Sequence, residues 1–142
     1  LINLVEVLLF HRESLEAMSG DSLLELNDYC HRQMVYLNSG RAKADAEVVQ
    51  QTVQECLEMS KRQDLEEKVK DVRFGTAVCA LSVLRYMTDY GQDLPLGVMA
   101  RMLDTHDTIV QLVPLLEERP WMRRRVKGEG KSKQRLVEVF NQ

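Results

Sequence analysis

The stretch from Ala80 to Trp121, ALSVLRYMTDYGQDLPLGVMARMLDTHDTIVQLVPLLEERPW, constrains this chain more than any other. It holds three short apolar patterns at helical spacing, separated by Gly91-Gln92-Asp93-Leu94-Pro95 and by Thr105-His106-Asp107. Short amphipathic helices do not bury their apolar stripes alone, and breaks this short keep them together. A stack in which each helix covers its neighbours meets both conditions, as in armadillo-type and HEAT-type α-solenoids. The expected fold is an all-α helical-repeat domain spanning 1–142 as one unit.

Scarce proline (3) and glycine (7) agree with helix throughout. No run reaches the roughly 18 apolar residues of a membrane span, and no signal peptide is visible. Cys30, Cys56 and Cys79 sit inside helical patterns without close spacing. Buried thiols in a reducing compartment are expected, rather than a disulfide framework. The chain opens at Leu1 in an apolar run and closes at Gln142 in another apparent helix, so a piece of a longer protein is expected.

Along the chain, Leu1, Leu4, Val5, Leu8 and Leu9 make the stripe of a helix reaching about Glu13, and Ile2, Val7 and Phe10 widen it, so coverage on more than one side is expected. After Ser19-Gly20, Asp21 or Ser22 is placed to cap a second helix to Leu37, its inner side formed by Leu23, Leu24, Leu26, Cys30, Met34 and Leu37. Residues 41–73 are more polar. Val49, Val53, Cys56, Leu57, Leu65, Val69 and Val72 give only a thin stripe. This predicts a long, partly exposed helical insertion between repeats, about 39–72, with a break near Ser60–Asp64. Phe74, Ala77, Val78, Leu81, Leu84 and Met87 then mark a densely buried helix, and Gly75 inside it suggests close helix–helix approach. Helices follow at Leu96–Asp104 and Thr108–Glu118, the second capped by Asp107 and kinked or restarted at Pro114. A solvated basic loop over 122–133 and a helix from Lys133 to Phe140 complete the reading.

Two features bear on function. Leu1–Leu8 laid over Ile109–Leu116 shares three identities and four conservative matches, an internal echo that either repeat equivalence or chance similarity produces. Charge is also uneven: Arg119 to Arg135 carries eight Lys/Arg against Glu129 alone, while the rest is acidic. This run is either a solubilising loop or a docking surface for an acidic partner, with Trp121, Arg123, Arg124, Arg125 and Lys127 as its partner-binding candidates. Trp121 has a competing reading as a core plug closing the last helix.

The segments Leu1–Arg12 (LINLVEVLLFHR), Asp28–Arg32 (DYCHR), Ala80–Asp89 (ALSVLRYMTD) and Leu94–Trp121 resemble the MYND zinc-finger family of axonemal dynein arm preassembly factors. The resemblance covers about two-thirds of the chain and leaves 39–72 unmatched. It implies part of the family's helical body, acting as a co-chaperone-like adaptor for motile cilia. The implied location is cytoplasmic, at dynein assembly sites near centriolar satellites. Implied partners are dynein chains, a leucine-rich-repeat assembly factor, an FKBP-type prolyl isomerase and a heat-shock chaperone. The family's finger is absent from this sequence, which has no C-x₂-C and no H-x₃-H spacing, so zinc is not carried over and no cofactor is expected here.

Catalysis is not expected. Adjacent Cys30 and His31 point about 100° apart on a helix, poor geometry for a nucleophile and base. His106, between Asp104 and Asp107, is expected to act in local capping. No phosphate loop or hydrolase motif is present, and neither a recognition module nor a basic surface outside the C-terminal run supports nucleic-acid binding. The sequence therefore supports a non-catalytic interaction scaffold. The alternative is a purely structural segment that packs against the rest of its parent.

Overall fold

The computed structural model describes residues 1–46, 60–120, 122–127 and 134–139, with only the backbone described at 44–46 and in the last two segments. Seven α-helices occur among the described residues: α1 (Ile2–Leu9), α2 (Arg12–Glu16), α3 (Gly20–Leu37), α4 (Gly40–Ala46), α5 (Lys61–Asp89), α6 (Leu96–Ala100) and α7 (Thr108–Glu118). A 3₁₀ turn at Gly91–Asp93 precedes α6, and a π turn at Arg101–Thr105 extends it. The body is helical, as its composition and periodicity require.

Helix α5 organises that body, and its two halves differ. Ser60 and Gln63 form a reciprocal capping box: Gln63 N donates to Ser60 Oγ at 3.3 Å and Ser60 N donates to Gln63 Oε1 at 3.1 Å. The first half stands in solvent. Leu65, Val69 and Val72 are all exposed, and i,i+4 ion pairs Arg62–Glu66 and Asp64–Lys68 lie along it. In the second half, Phe74, Ala77, Ala80, Val83, Leu84 and Met87 are buried. The helix packs against α1, α3 and α4, its buried residues all lying in this half, while α3 in turn packs against α6 and α7. Leu23, Cys30, Met34 and Leu37 complete the core from α3 at positions i, i+7, i+11 and i+14.

Polar ties join the N-terminal and C-terminal parts. Tyr90 Oη donates to the Phe10 carbonyl at 3.2 Å, Arg12 Nη2 donates to Asp93 Oδ1 at 2.7 Å, and Asn38 Nδ2 donates to the Gln111 carbonyl at 2.9 Å. Lys43 Nζ lies 2.8 Å from Glu118 Oε2.

Several expectations are corrected. The first helix ends at Leu9, with a turn before α2. Its inner side is Ile2, Val5 and Leu9, so Leu1, Leu4, Val7, Leu8 and Phe10 face solvent and the helix is covered on one side only. Ser19, rather than Asp21 or Ser22, caps α3 by accepting from Ser22 N. The helix expected from Phe74 is continuous back to Lys61. No atom lies within 4 Å of a Cβ built at Gly75, so Gly75 marks no close helix approach. Helix α7 runs through Pro114. The missing donor would have served the Val110 carbonyl, and Val110 is exposed, where water can take that role.

The largest correction is C-terminal. In place of a basic loop and a helix from Lys133, Met122–Lys127 (β1) and Gln134–Val139 (β2) form an antiparallel pair. The all-α expectation therefore holds for the helical body and not for this hairpin. The segment 47–59, including Val49, Val53, Cys56 and Leu57, lies outside the described residues, so the predicted insertion is described only at its two ends.

Candidate partner-binding surface

The body's most elaborate polar cluster joins α3 to the turn before α7. Asp28 on α3 receives two hydrogen bonds from Arg101, Nε to Oδ1 at 3.0 Å and Nη2 to Oδ2 at 2.9 Å. Its Oδ1 also lies 2.6 Å from His106 Nε2. The imidazole of His106 stacks on that of His31, one helical turn beyond Asp28. Local backbone geometry brings these groups together. The π turn places the His106 amide 3.0 Å from the Arg101 carbonyl, and Asp107 then adopts a left-handed conformation with φ 44° and ψ 47°. That conformation is unfavourable for most residues and more accessible to Asp. Buried Thr108 Oγ1 donates to the Met102 carbonyl at 2.8 Å, closing the turn.

Electrostatics follow from this geometry. Arg101, and after it His106, hold the Asp28 carboxyl far below the usual carboxylate range. Burial, followed by the neighbouring His106, lowers the His31 pKa. His106 is thus a long-range partner of Asp28 and not the local cap expected from its flanking aspartates. The cluster is a clamp between helices. Its carboxylate is already engaged by the Arg101 guanidinium and the His106 ring, which leaves it poorly suited to proton transfer.

Among the described residues, Cys30 and Cys79 are equally unsuited to nucleophilic chemistry. Burial pushes the Cys30 thiol up to about 12. The Cys79 thiol is also pushed up to about 12, by burial and then by its hydrogen bond to Glu6 Oε2 at 2.5 Å. A thiol that high is protonated at neutral pH and a poor nucleophile. Among the described residues, no group of three or more His, Cys, Asp or Glu is arranged to hold a metal ion.

What the body does offer is apolar surface. On α7, Thr108, Leu112 and Leu115 turn inward, while Ile109, Val113 and Leu116 form a second stripe about 100° around the helix, with Val110 beyond it. All four outer residues are exposed, Val110 and Leu116 to 63% and 66%. Exposed Asp107 and Glu117 lie near the two ends of this stripe. On α1, Leu1, Leu4, Val7 and Leu8 are exposed, and Phe10 beyond it. Contiguous apolar faces of this kind mark interaction sites more often than scattered single residues do.

A cleft of about 440 Å³ lies along α3, lined by Val5 of α1, Met18, and Ser22, Glu25, Leu26, Asp28, Tyr29 and Arg32 of α3.

The partner-binding candidates expected from sequence fall elsewhere. Arg123, Arg124, Arg125 and Lys127 lie on β1, paired in register with Glu138, Val137, Leu136 and Gln134. Trp121 lies outside the described residues. Neither the α7 stripe nor the Asp28 clamp was singled out as a site from sequence. The signal for the first was present, since Ile109, Val113 and Leu116 follow helical spacing beside an inward stripe. No family model matches the chain, and no solved structure matches it.

Proposed function

We propose that the chain is a non-catalytic protein-interaction scaffold, a piece of the helical body of a MYND zinc-finger dynein arm preassembly factor. It acts as a co-chaperone-like adaptor in the cytoplasm. The observation that carries the interaction reading is the exposed apolar stripe of α7. Such a face costs solubility unless another macromolecule covers it. The proposed occupants are dynein chains and the assembly factors that the sequence resemblance implies. Among the described residues no helix is long and apolar enough to cross a membrane.

An armadillo-like succession of stacked helices belongs to the same proposal. Packing of α3 against both α5 and the α6–α7 pair supports it. The echo between Leu1–Leu8 and Ile109–Leu116 weighs less, because the aligned positions differ in burial: Leu115 is buried where Val7 is exposed. The second reading, a structural segment covered by the rest of its parent, draws on the same apolar faces of α1 and α7.

One experiment separates the two. Val110→Asp with Val113→Asp is introduced into the full-length parent in ciliating cells, followed by crosslinking and quantification of dynein chains and assembly factors. Adaptor function predicts that these proteins are lost while the parent remains folded and abundant. Unchanged capture, or capture lost only because the parent aggregates, contradicts it.

A further inference from the structure

The cleft between α1 and α3 has a polarity that its lining residues do not use among themselves. Its floor is apolar and half-buried: Val5, Met18, Leu26 and Tyr29. Two exposed charges of opposite sign lie along it on α3, Glu25 and Arg32. Seven positions apart on a helix, they are separated by about 10.5 Å along the axis. Neither has an ion-pair partner among the described residues. Arg32 instead sits over the Tyr29 ring, 5.9 Å from its centroid. Asp28, the other carboxylate of the cleft, is engaged by Arg101 and His106.

The shape argues for an elongated occupant. Ser22, Glu25, Leu26, Tyr29 and Arg32 follow i, i+3, i+4, i+7 and i+10 spacing, a stripe about 15 Å long on one helix. The cleft has room for a few anchoring side chains but not for a whole helix, so the occupant's backbone lies outside it. A partner helix meets such a cleft by laying its apolar face along it, as in helix-in-groove recognition.

We propose that the α1–α3 cleft docks an amphipathic helix of a partner protein. Its apolar anchors cover Val5, Leu26 and Tyr29, a basic side chain meets Glu25, and an acidic side chain about two turns away meets Arg32. The proposal goes a step beyond the interaction reading above and rests on it. It concerns a different surface from the α7 stripe, so either can fail alone.

The test uses the intact chain and a designed amphipathic peptide of about 18 residues, long enough to hold helix. The peptide carries one Lys and one Glu seven positions apart beside Leu anchors. Comparison peptides replace the charged pair with Lys and Lys, with Glu and Glu, or with two Gln residues. Affinities come from fluorescence polarisation, and the bound surface from amide chemical shifts. The mixed-charge peptide is expected to bind most tightly and to shift amides around Val5, Met18, Leu26 and Tyr29. Glu25→Gln or Arg32→Gln is expected to weaken it about twofold to fivefold, as for a partly exposed ion pair. Neither substitution alters the affinity of the Gln peptide in that picture. No binding, equal affinity for all four peptides, or indifference to both substitutions overturns the proposal. Shifts confined to Ile109–Leu116 overturn it too, while leaving the α7 reading standing.

Discussion

His31 and His106 stack face to face, with ring centroids 4.0 Å apart and planes 9° from parallel. They come from positions far apart in the chain, and their stacking puts a titratable pair where α3 meets the turn into α7. Burial opposes a positive charge on His31, and neighbouring His106 and Arg32 act in the same direction, while Asp28 acts against them.

Stability is therefore expected to fall on mild acidification. The folded-state pKa of His31 is depressed, so the unfolded chain takes up its proton first. The contribution is complete above the unfolded value near 6.5 and declines as pH falls through that value toward the folded one. Thermal melts of His31→Phe should show a flatter dependence between pH 7 and pH 5 than the parent. Equal slopes would refute this role. Asp28, also depressed, acts in a separate window, its contribution being lost only below the ordinary carboxylate range.

Asp28→Asn removes the charge that holds both Arg101 and His106. The Asp28 side chain is 27% exposed and that of Arg101 is 45% exposed, so the effect is smaller than for a buried pair. A loss of about 1–2 kcal/mol is expected in urea denaturation. A change below about 0.3 kcal/mol would show that the clamp contributes nothing.

Leu84, 3% exposed in the second half of α5, should behave as core. Leu84→Ala is expected to cost about 2–5 kcal/mol. Leu65→Ala, on the same helix but 61% exposed, is expected to change stability by no more than about 0.5 kcal/mol. Similar costs at the two sites would contradict the division of α5 into a buried and a solvated half.

Gly75→Ala should stabilise the chain by about 0.5–1 kcal/mol. The new methyl meets open space, and alanine reduces the conformational entropy lost in a helix interior. A fall in stability would mean that Gly75 is needed for packing after all.

What was legible in the sequence follows from which signals are local. The buried side of α5 was readable because Phe74, Ala77, Leu84 and Met87 recur at helical spacing between polar residues. On α1 the same logic was right for Val5 and Leu9 and wrong for Leu1, Leu4 and Leu8. Leu1, Ile2, Leu4, Val5, Val7, Leu8 and Leu9 ring the helix, and periodicity cannot say which face meets α5. The Asp28–His106 contact was illegible because it spans 78 positions and depends on a π turn and a left-handed Asp107. At the C-terminus, charge outweighed a strand signal that was present. Val126, Val137 and Val139 are β-branched, and Gly128 and Gly130 separate the two segments.

Both the α7 face and the α1–α3 cleft depend on one arrangement, in which α5, buried only in its second half, is the hub for α1, α3 and α4. Native-state hydrogen exchange on the intact chain measures this most directly. The account predicts slow exchange for amides between Phe74 and Met87 and fast exchange between Lys61 and Val72, within one uninterrupted helix. Equal protection along α5, or greater protection in its first half, would contradict it.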